Sequence, residues 1–109
     1  MNGVARAIAG LPLPLAAVDL DAFDANVARM RAAAGDKKIR VATKSVRCPD
    51  LLGRVRDGLG AAWGGLMTFT ARETAFLAAA GWKDLLLAYP TATPDDAALI
   101  AGCGAAVVV

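Results

Sequence analysis

Five short apolar runs alternate with four segments of helical periodicity, and this alternation limits the fold more than any other feature of the 109-residue chain. The runs are 14–20, 39–44, 65–69, 84–89 and 105–109. The first intervening segment, 22–34, places Phe23, Val27, Met30 and Ala34 on one stripe, with Asp21 at its N-cap position and Gly35 just past its end. The second opens on Pro49 and carries Leu51, Leu52, Val55 and Leu59 on one face. The third begins with Thr70-Ala71-Arg72-Glu73, a capping box, and stops at Gly81. The fourth begins with Thr93-Pro94-Asp95-Asp96 and closes at Gly102. Strand runs separated by helices of about a dozen residues predict an α/β fold with a parallel sheet. The last two runs are apolar at successive positions, the pattern of strands buried on both faces.

Composition removes several classes of function. The chain has no His, so no Ser-His or Cys-His pair, imidazole base or His-ligated metal can be built within it. A net charge of +2 without a basic run offers no footprint for nucleic acid. Cys48 and Cys103 lack any CxxC partner and read as free thiols of a reducing compartment. The N-terminal apolar stretch is broken by Gly10, Pro12 and Pro14, unlike a signal peptide, and no run reaches the length of a membrane span. The expectation is a cytoplasmic protein with no membrane partner. The chain stops at Val109 inside an apolar run, whereas termini are usually exposed and frayed, so it reads as the front part of something longer.

Lys44 is the most informative position. In 39–44, Arg40, Ala42 and Lys44 fall on one face of a strand, and Ile39, Val41 and Thr43 fall on the face a helix would cover. Lys44 then stands at the C-terminal end of the strand, where parallel α/β folds place their ligands. An amine desolvated among apolar neighbours gives up its proton more easily, and the neutral amine can form a Schiff base. The alternative is a strand-end Lys whose stem covers apolar surface while its head stays wet. Tyr89 ends another strand on the same edge, where it could touch a cofactor or simply pack with a wet hydroxyl. Thr43-Lys44-Ser45 lacks the Gly-rich stretch of a phosphate loop, and the glycines of 58–65 precede a strand instead of following one. Asp19 and Asp21 suit helix capping and charge balance for Arg40. Cys48, before Pro49 at a helix start, is a possible reactive thiol without a base partner.

Two stretches carry a family resemblance: 18–26 (Val-Asp-Leu-Asp-Ala-Phe-Asp-Ala-Asn) and 39–45 (Ile-Arg-Val-Ala-Thr-Lys-Ser). The first resembles the opening of alanine-racemase-type, fold type III pyridoxal-phosphate enzymes, and the second resembles the strand that carries their Schiff-base lysine. The continuations Arg47-Cys48-Pro49-Asp50-Leu51, 65–75 and 84–90 are most similar to the D-threonine aldolase and D-serine dehydratase-like branch, which includes amino acid deaminase/aldolase proteins. The resemblance runs from about Leu13 to the end. It implies a partial (β/α)8 TIM-type barrel of about four to five βα units, with 1–109 as the N-terminal portion of the barrel domain. It implies pyridoxal 5'-phosphate as cofactor, a small amino acid as substrate, and a homodimer for the full-length protein. Lys44 would hold the cofactor and exchange the substrate's α-proton, and Arg40 would be an interior support or face the cofactor. Three positions depart from the branch. Ala42 stands where a His is common between that Arg and Lys, and Ser45-Val46 replaces the following Thr-His, so the branch's metal-assisted mechanism does not transfer directly. Other readings are a non-catalytic pyridoxal-phosphate-binding protein of the same fold and a stand-alone flavodoxin-like binding domain.

Overall fold

A computed structural model describes residues 3–107. A short helix α1 (Gly3–Ala7) precedes α2 (Leu20–Ala34), β1 (Ile39–Ala42), α3 (Pro49–Leu59), β2 (Trp63–Thr68), α4 (Ala71–Ala79), β3 (Leu85–Leu87), α5 (Pro94–Ala101) and β4 (Ala106–Val107). All three strand pairings are parallel and the order is β1-β2-β3-β4. Each strand therefore lies beside the next in sequence, with a helix between. A flavodoxin-like sheet reverses its strand order at a switch point; no reversal occurs among the described strands.

The helices start where the sequence places their caps. Thr70 accepts a hydrogen bond from the Glu73 N–H at 3.1 Å, and the Glu73 carboxylate accepts from the Phe69 N–H at 2.7 Å. The box thus closes one residue further out than the usual return to the N-cap amide. Thr93 caps α5 through the Asp96 N–H at 3.3 Å, and Pro49 sits in the first turn of α3. In α2 the cap is Asp19, not Asp21: its carboxylate accepts from the Ala22 N–H, which starts the helix at Leu20. Asp21 falls in the first turn, where its charge favours the amino end of the helix dipole.

The helices pack against one side of the sheet. Leu66 and Leu85 share a core cluster with Leu52 of α3 and Leu77 of α4, while Leu87 packs with Ala71 and Ile100. Val27 meets Val55, Leu59 and Ala62, with Phe23, Ile39 and Val41 against them. Ile39 and Val41 thus lie on the helix-covered side, and the Thr43 side chain is buried. The alternate row, Ala42, Met67, Leu86 and Ala106, is in register across the sheet and only half-buried or exposed. The molecule measures 52 × 39 × 21 Å, and its short axis holds two layers. Burial on both faces, expected from the continuous apolar runs, is therefore not present: the second face has no covering layer among the described residues.

The run 14–20 does not pair with the sheet. Pro12 and Pro14 supply no amide hydrogen, Leu13 and Val18 stay exposed, and α2 takes Leu20. Consequently β1 is an edge strand. An apolar groove of about 360 Å³ lies along it, lined by Phe23, Met30, Ile39 and Val55 among others, which is why Met30 of the expected buried stripe stays exposed. Of the run 105–109, Val108 and Val109 lie outside the described residues.

Candidate functional site

The strand that carries the key lysine ends earlier than its sequence pattern suggests. β1 stops at Ala42, and Thr43–Ser45 form one 3-10 turn closed by the Val46 N–H to the Thr43 carbonyl at 3.1 Å. Thr43 anchors this turn, since its buried hydroxyl donates to the Met67 carbonyl of β2 at 3.3 Å. Lys44 is therefore on the turn and not on the strand. It is exposed, not enclosed among apolar neighbours, because the uncovered sheet face and the turn leave it open to solvent.

Its ammonium donates to the Tyr89 hydroxyl at 3.2 Å. Tyr89 lies two residues beyond β3, so the contact reaches across the C-terminal end of β2. Lys44 Nζ is 5.8 Å from the Tyr89 ring centroid, which makes the hydroxyl, and not the ring face, its nearer partner. Phe69, directly after β2, meets the Tyr89 ring edge-on with centroids 4.8 Å apart and planes at 71°. Both rings are close to half-exposed. A turn lysine and two aromatic rings thus converge on the ligand-bearing edge of the parallel sheet. Lys44 and Tyr89 were visible in the sequence. Phe69 was not singled out, although an apolar residue between a strand and a capping Thr was the available signal.

Arg40 is placed elsewhere. Its guanidinium donates to the Leu66 carbonyl at 3.1 Å and to the Asp84 carbonyl at 2.5 Å, the latter just before β3 begins. It ties β1 to the middle of β2 and to the residue that leads into β3, and not to Tyr89. Among the described residues no acidic side chain pairs with it: Asp19 caps α2 and the contacts of Arg40 are to main-chain oxygens. Room for this arrangement comes from the glycines of β2. The register slips by one residue between Ile39 and Val41, and Gly65 takes the extra residue at φ +97. A Cβ there would lie 2.1 Å from the Asp84 carbonyl oxygen and 2.8 Å from Arg40 Nη1. Of the glycine-rich stretch, Gly58 lies in the last turn of α3, Gly60 opens a 3-10 turn, and only Gly64 and Gly65 lie in the strand, which begins at Trp63, two residues ahead of the expected start.

Residues 18–109 match the alanine racemase, N-terminal domain family. The chain belongs to that family. That family falls within the fold type III pyridoxal-phosphate enzyme superfamily and normally binds pyridoxal phosphate. No curated protein sequence matches this family member.

The residues present fit the cofactor in chemical kind: an exposed primary amine for attachment, with a phenol at hydrogen-bond distance that a phenyl ring backs. One first-turn amide of α4, that of Glu73, and one of α5, that of Asp96, are engaged by Thr70 and Thr93. Among the described residues no three Cys, Asp or Glu side chains cluster as a metal site, and no helix is long and apolar enough to cross a membrane.

Proposed function

We propose that this family member attaches pyridoxal 5'-phosphate at Lys44 and belongs to an enzyme that acts on small amino acids. One observation carries the proposal: the Lys44 amine is exposed at the ligand-bearing edge of a parallel sheet, held 3.2 Å from the Tyr89 hydroxyl. The sequential strand order and one-sided helix layer support a place within a (β/α)8 barrel whose interior is the uncovered face. The resemblance of 65–75 and 84–90 to D-threonine aldolase-like and amino acid deaminase/aldolase proteins supports that branch, and with it a homodimer for the full-length protein; the two unpaired cysteines support a cytoplasmic setting.

Within this reading, the Lys44 amine holds the cofactor, and its Nζ is the atom placed to take or return the substrate's α-proton. When bound, the cofactor supplies an electron sink for the pair released at the α-carbon. Thr43 keeps the turn fixed through its bond to the Met67 carbonyl, so that Lys44 starts from a defined backbone position. Tyr89 meets the amine on one side through its hydroxyl, and Phe69 backs the Tyr89 ring. Arg40 acts at a distance by holding β1, β2 and β3 together.

The protein mixed with pyridoxal phosphate should gain a visible absorbance that borohydride removes and that Lys44→Ala never shows. Equal colour in wild type and Lys44→Ala would overturn the assignment. The exposure of Lys44 favours one second reading, a pyridoxal-phosphate-binding protein without turnover. Exchange of the α-proton of D- or L-amino acids into deuterated water separates the two, because only the enzyme catalyses it.

A further inference from the structure

We propose that Tyr89 is a positioning residue for Lys44 and that Phe69 holds Tyr89 in that role; this rests on Lys44 being the attachment point. A lysine on an exposed turn can spread its Nζ over a wide volume, because four torsions separate the amine from the backbone. The Tyr89 hydroxyl, 3.2 Å from Nζ, selects one of those arrangements. Tyr has only two side-chain torsions, so it is a stiffer support than the group it holds. Its ring is in turn contacted edge-on by Phe69 at a centroid distance of 4.8 Å. Phe69 is itself tied down, since its N–H donates to the Glu73 carboxylate in the first turn of α4 at 2.7 Å. A line of contacts therefore runs from the capping box of α4 through Phe69 and Tyr89 to the Lys44 amine. It joins the C-terminal ends of three neighbouring strands, β2, β3 and β1. Neither aromatic ring belongs to a core cluster, and both are close to half-exposed, so packing of the fold does not account for their placement.

The chain contains four lysines, and Lys37, Lys38 and Lys83 serve as internal references. The full chain is treated briefly with pyridoxal phosphate, reduced with borohydride and digested, and the pyridoxyl group is counted at each lysine. Wild type should carry most of the label on Lys44. Tyr89→Phe keeps the ring and its Phe69 contact but removes the hydroxyl. It should lower the Lys44 share about fivefold, the factor one hydrogen bond of ordinary strength supplies, with the three references and the melting curve unchanged. Phe69→Leu should lower the share as well, by less. A Lys44 share in Tyr89→Phe equal to wild type overturns the role of Tyr89, while leaving Lys44 as the attachment point. An unchanged share in Phe69→Leu overturns the part assigned to Phe69. A wild-type protein whose label is spread evenly over the four lysines overturns the attachment reading itself, and this inference with it.

Discussion

Arg40 and Lys44 stand four residues apart, one within β1 and the other on the turn that follows it. Both are cations, both are exposed, and both reach across β2 to the segment around β3. Their partners divide them. Arg40 is committed to two main-chain carbonyls, Leu66 and Asp84, and a glycine bulge makes room for it. Lys44 meets a single side-chain hydroxyl that can let it go. Charge alone does not mark a reactive position; what marks it is whether the surroundings have already used the group. The N-terminal end of this sheet is stapled, and the C-terminal end keeps an amine free.

The contrast can be broken most strongly at Gly65. Gly65→Ala would place a Cβ against the Asp84 carbonyl and the Arg40 guanidinium in a backbone region that suits glycine. A loss of about 3 kcal/mol or more is expected in denaturant titration. A variant as stable as wild type would show that the bulge does not hold the Arg40 end together.

Arg40→Met comes next. It withdraws two hydrogen bonds from partly accessible carbonyls, and the expected cost is about 1 kcal/mol, read as a melting temperature lower by about 5 °C. Lys44→Ala, by contrast, should stay within about 0.5 kcal/mol of wild type, because the amine supports nothing but its own placement. If the two variants exchanged these outcomes, the division between support and chemistry would be wrong.

The smallest effect lies outside both ends, between α2 and α3. Arg54 donates two hydrogen bonds of 2.6 Å to Asp24. Those hydrogen bonds, with the Arg54 charge a lesser help, hold the Asp24 carboxyl below its ordinary range, while desolvation works against them. A carboxyl lowered in the folded state adds stability above its unfolded value, and that stability fades as the pH falls through the folded value. Asp24→Asn should therefore melt slightly below wild type at neutral pH. The gap should close in acid, below the ordinary carboxylate range. A gap that widened in acid would contradict this assignment. The pair is exposed, so the shift will be small and will shrink further with added salt.

Much of the fold was legible because the signals were local. Thr70 with Glu73, Thr93 before Pro94, and Pro49 each marked a helix start within a residue of where it lies. The parallel character of the sheet followed from helices between strands. Less legible were features that depend on distant partners. The run 14–20 has strand composition, but a strand needs a neighbour, and Pro12 and Pro14 withhold the amides that pairing requires. The period-2 pattern placed Lys44 on a strand face because it carried no information about the turn that Thr43 starts by bonding to Met67, 24 residues away. Successive apolar residues in β3 and β4 suggested two covered faces, yet they report only what the chain is prepared to bury, not what covers it. At the site, Lys44 and Tyr89 could be named from their strand-end positions. Their contact, 45 residues apart in sequence, could not. Phe69 went unnoticed for the same reason, since its meaning lies in a ring just beyond the neighbouring strand.

The central claim is that Lys44 is the reactive cation and Arg40 the structural one. The direct test is a peptide map after treatment with pyridoxal phosphate and borohydride, run on wild type, Arg40→Met and Lys44→Ala at a temperature where all three are folded. The account predicts a pyridoxyl group on Lys44 in wild type and in Arg40→Met, and none above the level of Lys37, Lys38 and Lys83 in Lys44→Ala. A map in which Arg40→Met loses the Lys44 adduct while still folded, or in which Lys44 is labelled no more than the other three lysines, would contradict it.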